Sequence, residues 1–158
     1  MKIGVFADTH LAKFPEHLGE LITKHFKDVD MIFHAGDVVE LSALDIFSDK
    51  EVKLVAGNMD SWVIKQSAPT KQVIPIEGFK VGLIHGWGSP TGIEDRIIKE
   101  FDAIDILVYG HTHSASSFTK GGVIFFNPGS PTDKRFAITN TIGILEIGER
   151  IFPKIITL

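Results

Sequence analysis

Residues 105–113 read DILVYGHTH. A short apolar run of strand length stops at Gly110, and His111 and His113 follow at once. A strand ending this way sets two imidazoles at a sheet edge. The same arrangement recurs along the chain. KIGVFA (2–7) runs into Asp8-Thr9-His10, and DMIFHAG (30–36) runs into Asp37. VKLVAG (52–57) runs into Asn58, with Asp60 two further on, and KVGLIHG (80–86) carries His85. Five strand ends thus each deliver a metal-capable side chain, usually beside a glycine that lets the backbone turn sharply.

The segments between these runs define the fold class. PEHLGELITKHFK (15–27) carries Leu18, Leu21, Ile22 and Phe26 on one helical stripe, with Pro15 suited to the first turn. A short helix is expected around Leu41, Leu44 and Phe47. Strands separated by helices pair in parallel through right-handed crossovers. From residue 71 the pattern changes. KQVIPIEGFKVGLIHG (71–86) reads as two strands joined at Glu77-Gly78, with Pro75 marking an edge or a bulge. Thr91 to Glu94 spells a capping box ahead of a helix with Ile93, Ile97, Ile98 and Phe101. The end is mostly hairpins, one around Gly121-Gly122 and one around Gly148-Glu149. Parallel units followed by hairpins predict an α/β protein of two packed sheets with helices outside. With no repeat, low-complexity tract or linker, residues 1–158 are expected to form a single domain.

Composition narrows the function. The 158 residues are 44% hydrophobic and 23% charged, with a formal net charge of −4. That balance suits a globular protein and argues against a dedicated nucleic-acid surface, which needs clustered Lys and Arg. No apolar run approaches the roughly 18 residues of a membrane span. The N-terminus breaks into acid and histidine after one short strand, unlike a signal peptide, so a cytoplasmic location is the default expectation. Without cysteine, disulfides, thiolate metal sites and cysteine nucleophiles are excluded.

Carboxyl ends of parallel strands converge on one edge, where ligands bind. Two carboxylates crowded there would raise each other's pKa, and cations relieve that repulsion. Seven candidate ligands exceed what one tetrahedral ion needs and fit two ions of higher coordination number. Each motif alone is common in turns; their joint placement carries the inference. Four imidazoles with two carboxylates are too nitrogen-rich to favour calcium or magnesium, leaving manganese, iron, zinc, nickel and cobalt.

On the motifs DTH (8–10), GDVV (36–39), GNMD (57–60), HG (85–86), GHTH (110–113) and NPGS (127–130), the chain resembles the calcineurin-like metallophosphoesterases. The likeness is to their small single-domain phosphodiesterase branch, which includes the retromer subunit of the vacuolar sorting family. It implies a four-layer α/β/β/α sandwich of two mixed sheets flanked by helices. It further implies that Asp8, His10 and His113 hold a first metal and that Asn58, His85 and His111 hold a second. Asp37 would bridge them with a water or hydroxide that attacks a phosphodiester in line. Asp37, Asn58 and His85 are the candidate catalytic residues, two divalent ions the cofactors, and manganese the first choice from the family. Two such ions outweigh Asp8, Asp37 and a hydroxide, so the site should attract an anion such as a small phosphoester. The alternative implied is a catalytically weak metal-binding scaffold like the retromer subunit.

Many relatives carry histidine where this chain has Met59, and methionine cannot protonate a leaving group. Asp60 is placed either as a support for the ligands or as a purely structural residue. His34 is assigned to packing, and His17 and His25 to the helix surface. Trp87 and Trp62 either line the cleft or cover apolar surface. Lys134 and Arg135 are expected on a solvated surface, and Ser114, Ser116 and Ser117 in a turn and strand. Short connections between motifs predict an open cleft. The apolar C-terminal strands suit either the second sheet or a homo-oligomer.

Overall fold

Alternation inside the apolar runs explains the layers. In the computed structural model, which describes residues 1–133 and 138–158, strand β1 (Lys2–Phe6) sends Ile3 and Val5 to one face and Phe6 to the other. Strand β6 (Ile106–Tyr109) likewise sends Ile106 and Val108 one way and Leu107 and Tyr109 the other. Both faces of these strands are buried, which is why the sequence shows continuous rather than alternating hydrophobicity.

Two mixed sheets result. The first has the order β10-β9-β1-β2-β3, with β2 at Met31–His34, β3 at Glu51–Leu54, β9 at Thr141–Ile147 and β10 at Ile151–Thr157. The second has the order β4-β5-β6-β8-β7, with β4 at Lys71–Ile76, β5 at Phe79–Ile84, β7 at Ser116–Lys120 and β8 at Val123–Asn127. One apolar cluster joins their inner faces, including Val5, Phe33, Val55, Leu83, Val108 and Phe126. Helix α1 (Glu16–His25) and the 3-10 helix Leu41–Phe47 cover the outer face of the first sheet, where Phe6, Ile22, Phe26 and Phe47 meet. Helix α3 (Ile93–Ile97) covers the second through Ile93, Ile97 and Leu107. This is the layered α/β architecture the sequence predicts.

Strands β1, β2 and β3 are parallel, as are β5, β6 and β8. Pro75 does lie on an edge strand, β4, and Glu77-Gly78 forms the turn into β5 with both residues at positive φ. Several local expectations need correction. Pro15 is the N-cap of α1, one position before the first turn. The short helix expected around Leu41, Leu44 and Phe47 is present, as the 3-10 helix Leu41–Phe47. The capping box does not form: Gly92, in the left-handed region, caps α3 without a side-chain bond, and Glu94 instead accepts the Tyr109 hydroxyl at 2.6 Å. A short helix α2, Trp62–Ser67, follows the GNMD motif and carries no clear periodic signal of its own. The two terminal hairpins also part company. β7-β8 extends the second sheet, while β9-β10 returns to flank β1 antiparallel in the first.

Candidate metal centre

The five strand ends come from both sheets. β1, β2 and β3 lead to Asp8, Asp37 and Asn58; β5 and β6 lead to His85, His111 and His113. Beyond their strands the loops stay zipped together. Asp8 N–H donates to Gly36 O at 3.0 Å, His10 N–H to Asp37 O at 3.1 Å and Gly110 N–H to His85 O at 3.1 Å. The loops are tight enough to force unusual backbone. Asp8, His10, Asp37, His111 and His113 all have φ between 48° and 69°, the left-handed region that non-glycine residues seldom adopt. Such strain persists where surroundings over-determine it, commonly at functional sites. Close approach adds a second constraint: a Cβ on Gly57 would lie 2.1 Å from Asp37 Oδ1.

Asp8, Asp37 and His85 cluster with their ligand atoms within 4.8 Å of one another, as do Asp8, His10 and His113. His85 Nε2 lies 3.3 Å from Asp37 Oδ2 and 3.9 Å from Asp8 Oδ1. His113 Nε2 lies 3.5 Å from Asp8 Oδ1 and 3.2 Å from His10 Nε2. Asn58 Oδ1 sits 3.2 Å from His85 Nε2 and 3.0 Å from His111 Nδ1. All seven candidate side chains are therefore assembled at the joint between the sheets.

Three imidazoles are oriented through their outer nitrogens. His85 Nδ1 donates to Ala35 O at 2.8 Å, His111 Nε2 to Gly88 O at 2.8 Å, and His113 Nδ1 faces Asp133 Oδ2 at 2.5 Å. A carbonyl or carboxylate acceptor makes one ring nitrogen the donor and directs the other toward the centre, the usual support of a metal-binding histidine. Sequence reasoning missed Asp133. It follows NPGS by three residues, and no periodicity announces its pairing with His113.

Electrostatics set the two carboxylates apart. Burial pushes the Asp8 carboxyl up to about 7, with neighbouring Asp37 adding to the rise and His85 and His113 opposing it. Among the described residues neither Asp8 oxygen has a hydrogen-bond partner of ordinary geometry, although both are fully buried. Burial also pushes Asp37 up, but the hydrogen bond and charge of His85 and the Met59 N–H at 2.7 Å prevail and hold it below the ordinary value. For His85, burial acts downward; Asp37 and Asp8 outweigh it and raise the pKa. Orphaned carboxylate oxygens facing several imidazole nitrogens are the donor chemistry of a divalent transition-metal cation, so the residues fit such an ion.

Around this cluster Asp60 is buried and accepts from three backbone groups: Gly57 N–H at 2.7 Å, Asp37 N–H at 3.0 Å and Val39 N–H at 2.7 Å. It clamps the GDVV loop to the GNMD loop. His34 is fully buried; its Nδ1 accepts from Gly36 N–H, leaving Nε2 to donate to Thr9 Oγ1 at 3.2 Å. It packs edge-on to Phe6 as well, so packing and loop support coincide. Asn127 and Ser130 of NPGS bond Gly110 O and Asp8 O. His17 is exposed and His25 half-buried. Ser116 and Ser117 lie in β7, and the Ser116 hydroxyl meets that of Tyr109. Lys134 and Arg135 lie outside the described residues. Among the described residues no helix is long and apolar enough to cross a membrane.

Metal-binding α/β proteins are the class that this fold and donor set define. Residues 1–150 match the calcineurin-like phosphoesterase superfamily domain, and the chain belongs to that superfamily. It is 35% identical, over 99% of its length and 92% of the relative's, to a probable metallophosphoesterase of Methanothermobacter thermautotrophicus. Its structure is similar to an archaeal phosphodiesterase, with TM-score 0.76 and 26% identity over the whole of both chains. It also shares its fold with the zinc complex of Vps29 from Entamoeba histolytica, with TM-score 0.75 and 24% identity over 99% of each. The protein is accordingly a metal-dependent phosphoesterase by family, a hydrolase.

Proposed function

We propose that the chain is a phosphodiesterase working with two divalent cations. Asp8, His10 and His113 would hold one, Asn58, His85 and His111 the other, and Asp37 would lie between them. The observation that carries this reading is the Asp8 carboxylate, buried among inward-turned imidazoles with no hydrogen-bond partner of ordinary geometry among the described residues. When bound, such a pair supplies Lewis acidity, polarising the phosphoryl group and acidifying water near neutral pH. The chain contributes position and charge. Asn58 uses Oδ1 toward His85 and His111, which keeps its Nδ2 hydrogens for a phosphate oxygen. Asp37 Oδ1 is fixed by Met59 N–H, so its other oxygen stays aimed at His85 and the centre. Manganese is the favoured ion, with iron, zinc, nickel and cobalt also suited to the donor set. The likeness to an archaeal phosphodiesterase supports a diester as substrate.

One observation favours a second reading, a protein-interaction scaffold with weak catalysis. Met59, Trp62 and Val63 stand 61%, 74% and 60% exposed next to Asn58, more apolar surface than an isolated side chain accounts for. Hydrolysis of an activated diester with added manganese separates the two. The enzyme reading expects turnover that falls at least a hundredfold in both Asp37→Ala and His85→Ala. Turnover absent from the metal-loaded protein, or unchanged in both variants, would favour the scaffold.

A further inference from the structure

A recess of about 290 Å³ opens beside the centre. Asn58 and His85 are among the residues that line it, so it adjoins the proposed metal-binding groups. Trp87 lines it as well, as do Lys71 and Glu100. We propose that this recess receives an uncharged aromatic substituent of the phosphoester, an aryl group or a nucleobase, stacked on the Trp87 indole. The inference rests on the reading of the site as a phosphoesterase centre and adds what that reading leaves open, the group attached to phosphorus.

Size, wall and charge each point the same way. The volume lies at the lower end of the roughly 300–1,000 Å³ of small-molecule sites, room for one ring system rather than an extended chain. Trp87 is 42% exposed, a large apolar ring left half in water beside a polar centre. An indole in that position offers a face on which any aromatic group can stack. The backbone that carries the indole is also tied down. Arg96 donates to Trp87 O at 2.9 Å and to Ser89 O at 2.5 Å, while His111 bonds Gly88 O from the other side. A loop fixed before binding spends little entropy on ordering. The Lys71 ammonium donates to Glu100 Oε2 at 2.9 Å and to Glu100 O at 2.8 Å. The two charges neutralise each other, so the recess selects neither an anionic nor a cationic headgroup. Trp62, by contrast, is more exposed and does not line the recess.

Phenyl phosphate and methyl phosphate test this, since each carries a single organic group. Their binding to the manganese-loaded full chain is read from quenching of indole fluorescence in a Trp62→Phe background, and independently as inhibition of diester hydrolysis. Phenyl phosphate should bind roughly tenfold more tightly than methyl phosphate, as a stacking contact implies. In the Trp87 variants, which keep no indole in that background, inhibition is the readout: the advantage should shrink to about twofold in Trp87→Ala and be largely kept in Trp87→Phe. Trp87 anchors its loop through the backbone oxygen, so both variants keep those bonds, and circular dichroism checks the fold. Equal binding of the two phosphates, or a preference that survives in folded Trp87→Ala, overturns the aromatic subsite alone. If neither phosphate binds and no diester is turned over, the phosphoesterase reading falls, and this inference with it.

Discussion

Asp133 Oδ2 lies 2.5 Å from His113 Nδ1, and His113 Nε2 on the far side of the ring lies 3.5 Å from Asp8 Oδ1. The carboxylate, buried with its histidine, fixes which ring nitrogen faces the centre. Asp133→Asn should lower divalent-metal affinity about 10- to 100-fold, as such outer partners typically do. Isothermal titration with manganese measures it. An affinity within twofold of the parent would show that His113 keeps its orientation without the carboxylate.

Asp8 makes a prediction whose sign depends on metal. Without metal its buried oxygens lack hydrogen-bond partners of ordinary geometry among the described residues, and burial of a charge that His85 and His113 offset only in part destabilises the fold. Asp8→Asn keeps the shape and removes the charge. In chelator it should be more stable than the parent by roughly 1–3 kcal/mol. With manganese the order should reverse, because only the parent gains binding energy from the ion. Urea titrations under both conditions test this, and the same order in each would contradict it.

Asp60 gathers three N–H groups from two loops. Hydrogen bonds to a charged acceptor contribute about 1.5–3 kcal/mol each, though not additively. Asp60→Ala should therefore cost at least about 3 kcal/mol and separate Asp37 from Asn58, weakening metal binding too. Denaturation midpoints and metal titration read the two effects. A variant that loses stability but binds metal as before would reduce Asp60 to a scaffold residue.

His34 links stability to pH. Burial, and then the charge of His85, lower its pKa from 6.5 to about 3 in the folded chain. The unfolded chain takes up a proton near pH 6.5, while the folded chain does not until about pH 3. Across that window the unfolded state binds more protons, so stability falls as pH falls, by up to about 1.4 kcal/mol per unit. His34→Gln should lower stability at pH 7 by losing the contact with Phe6, yet show a shallower decline from pH 6.5 to 4.5. Urea titrations in chelator at stepped pH decide it; parallel declines would exclude His34 as the source.

Met59 presents only its backbone N–H to the centre, on Asp37, and its side chain is largely exposed. It offers no proton to a leaving group. Hydrolysis of substituted aryl diesters should depend steeply on leaving-group pKa, and Met59→His should flatten the dependence. Equal slopes would mean that protonation comes from elsewhere or is not needed.

The local sequence determined which residues gather and which elements carry them. Short apolar runs ending at Gly36, Gly57, Gly86 and Gly110 marked strand ends, and each placed a polar ligand type where parallel strands expose one. Backbone direction and side-chain chemistry are local properties, so the seven candidate ligands and the α/β class were legible in one dimension. Tertiary structure decided the rest. Which sheet β9-β10 joins depends on the burial of Ile142, Ile144 and Leu145 against distant residues. Glu94 left its capping role because Tyr109, brought close by packing, offered a buried hydroxyl. Asp133 found His113, and Trp87 came to wall a recess beside Asn58, through contacts between segments that no spacing rule relates. Periodicity and turn chemistry act over a few residues; hydrogen bonds and cavities between remote segments exist only once the core has fixed where those segments lie.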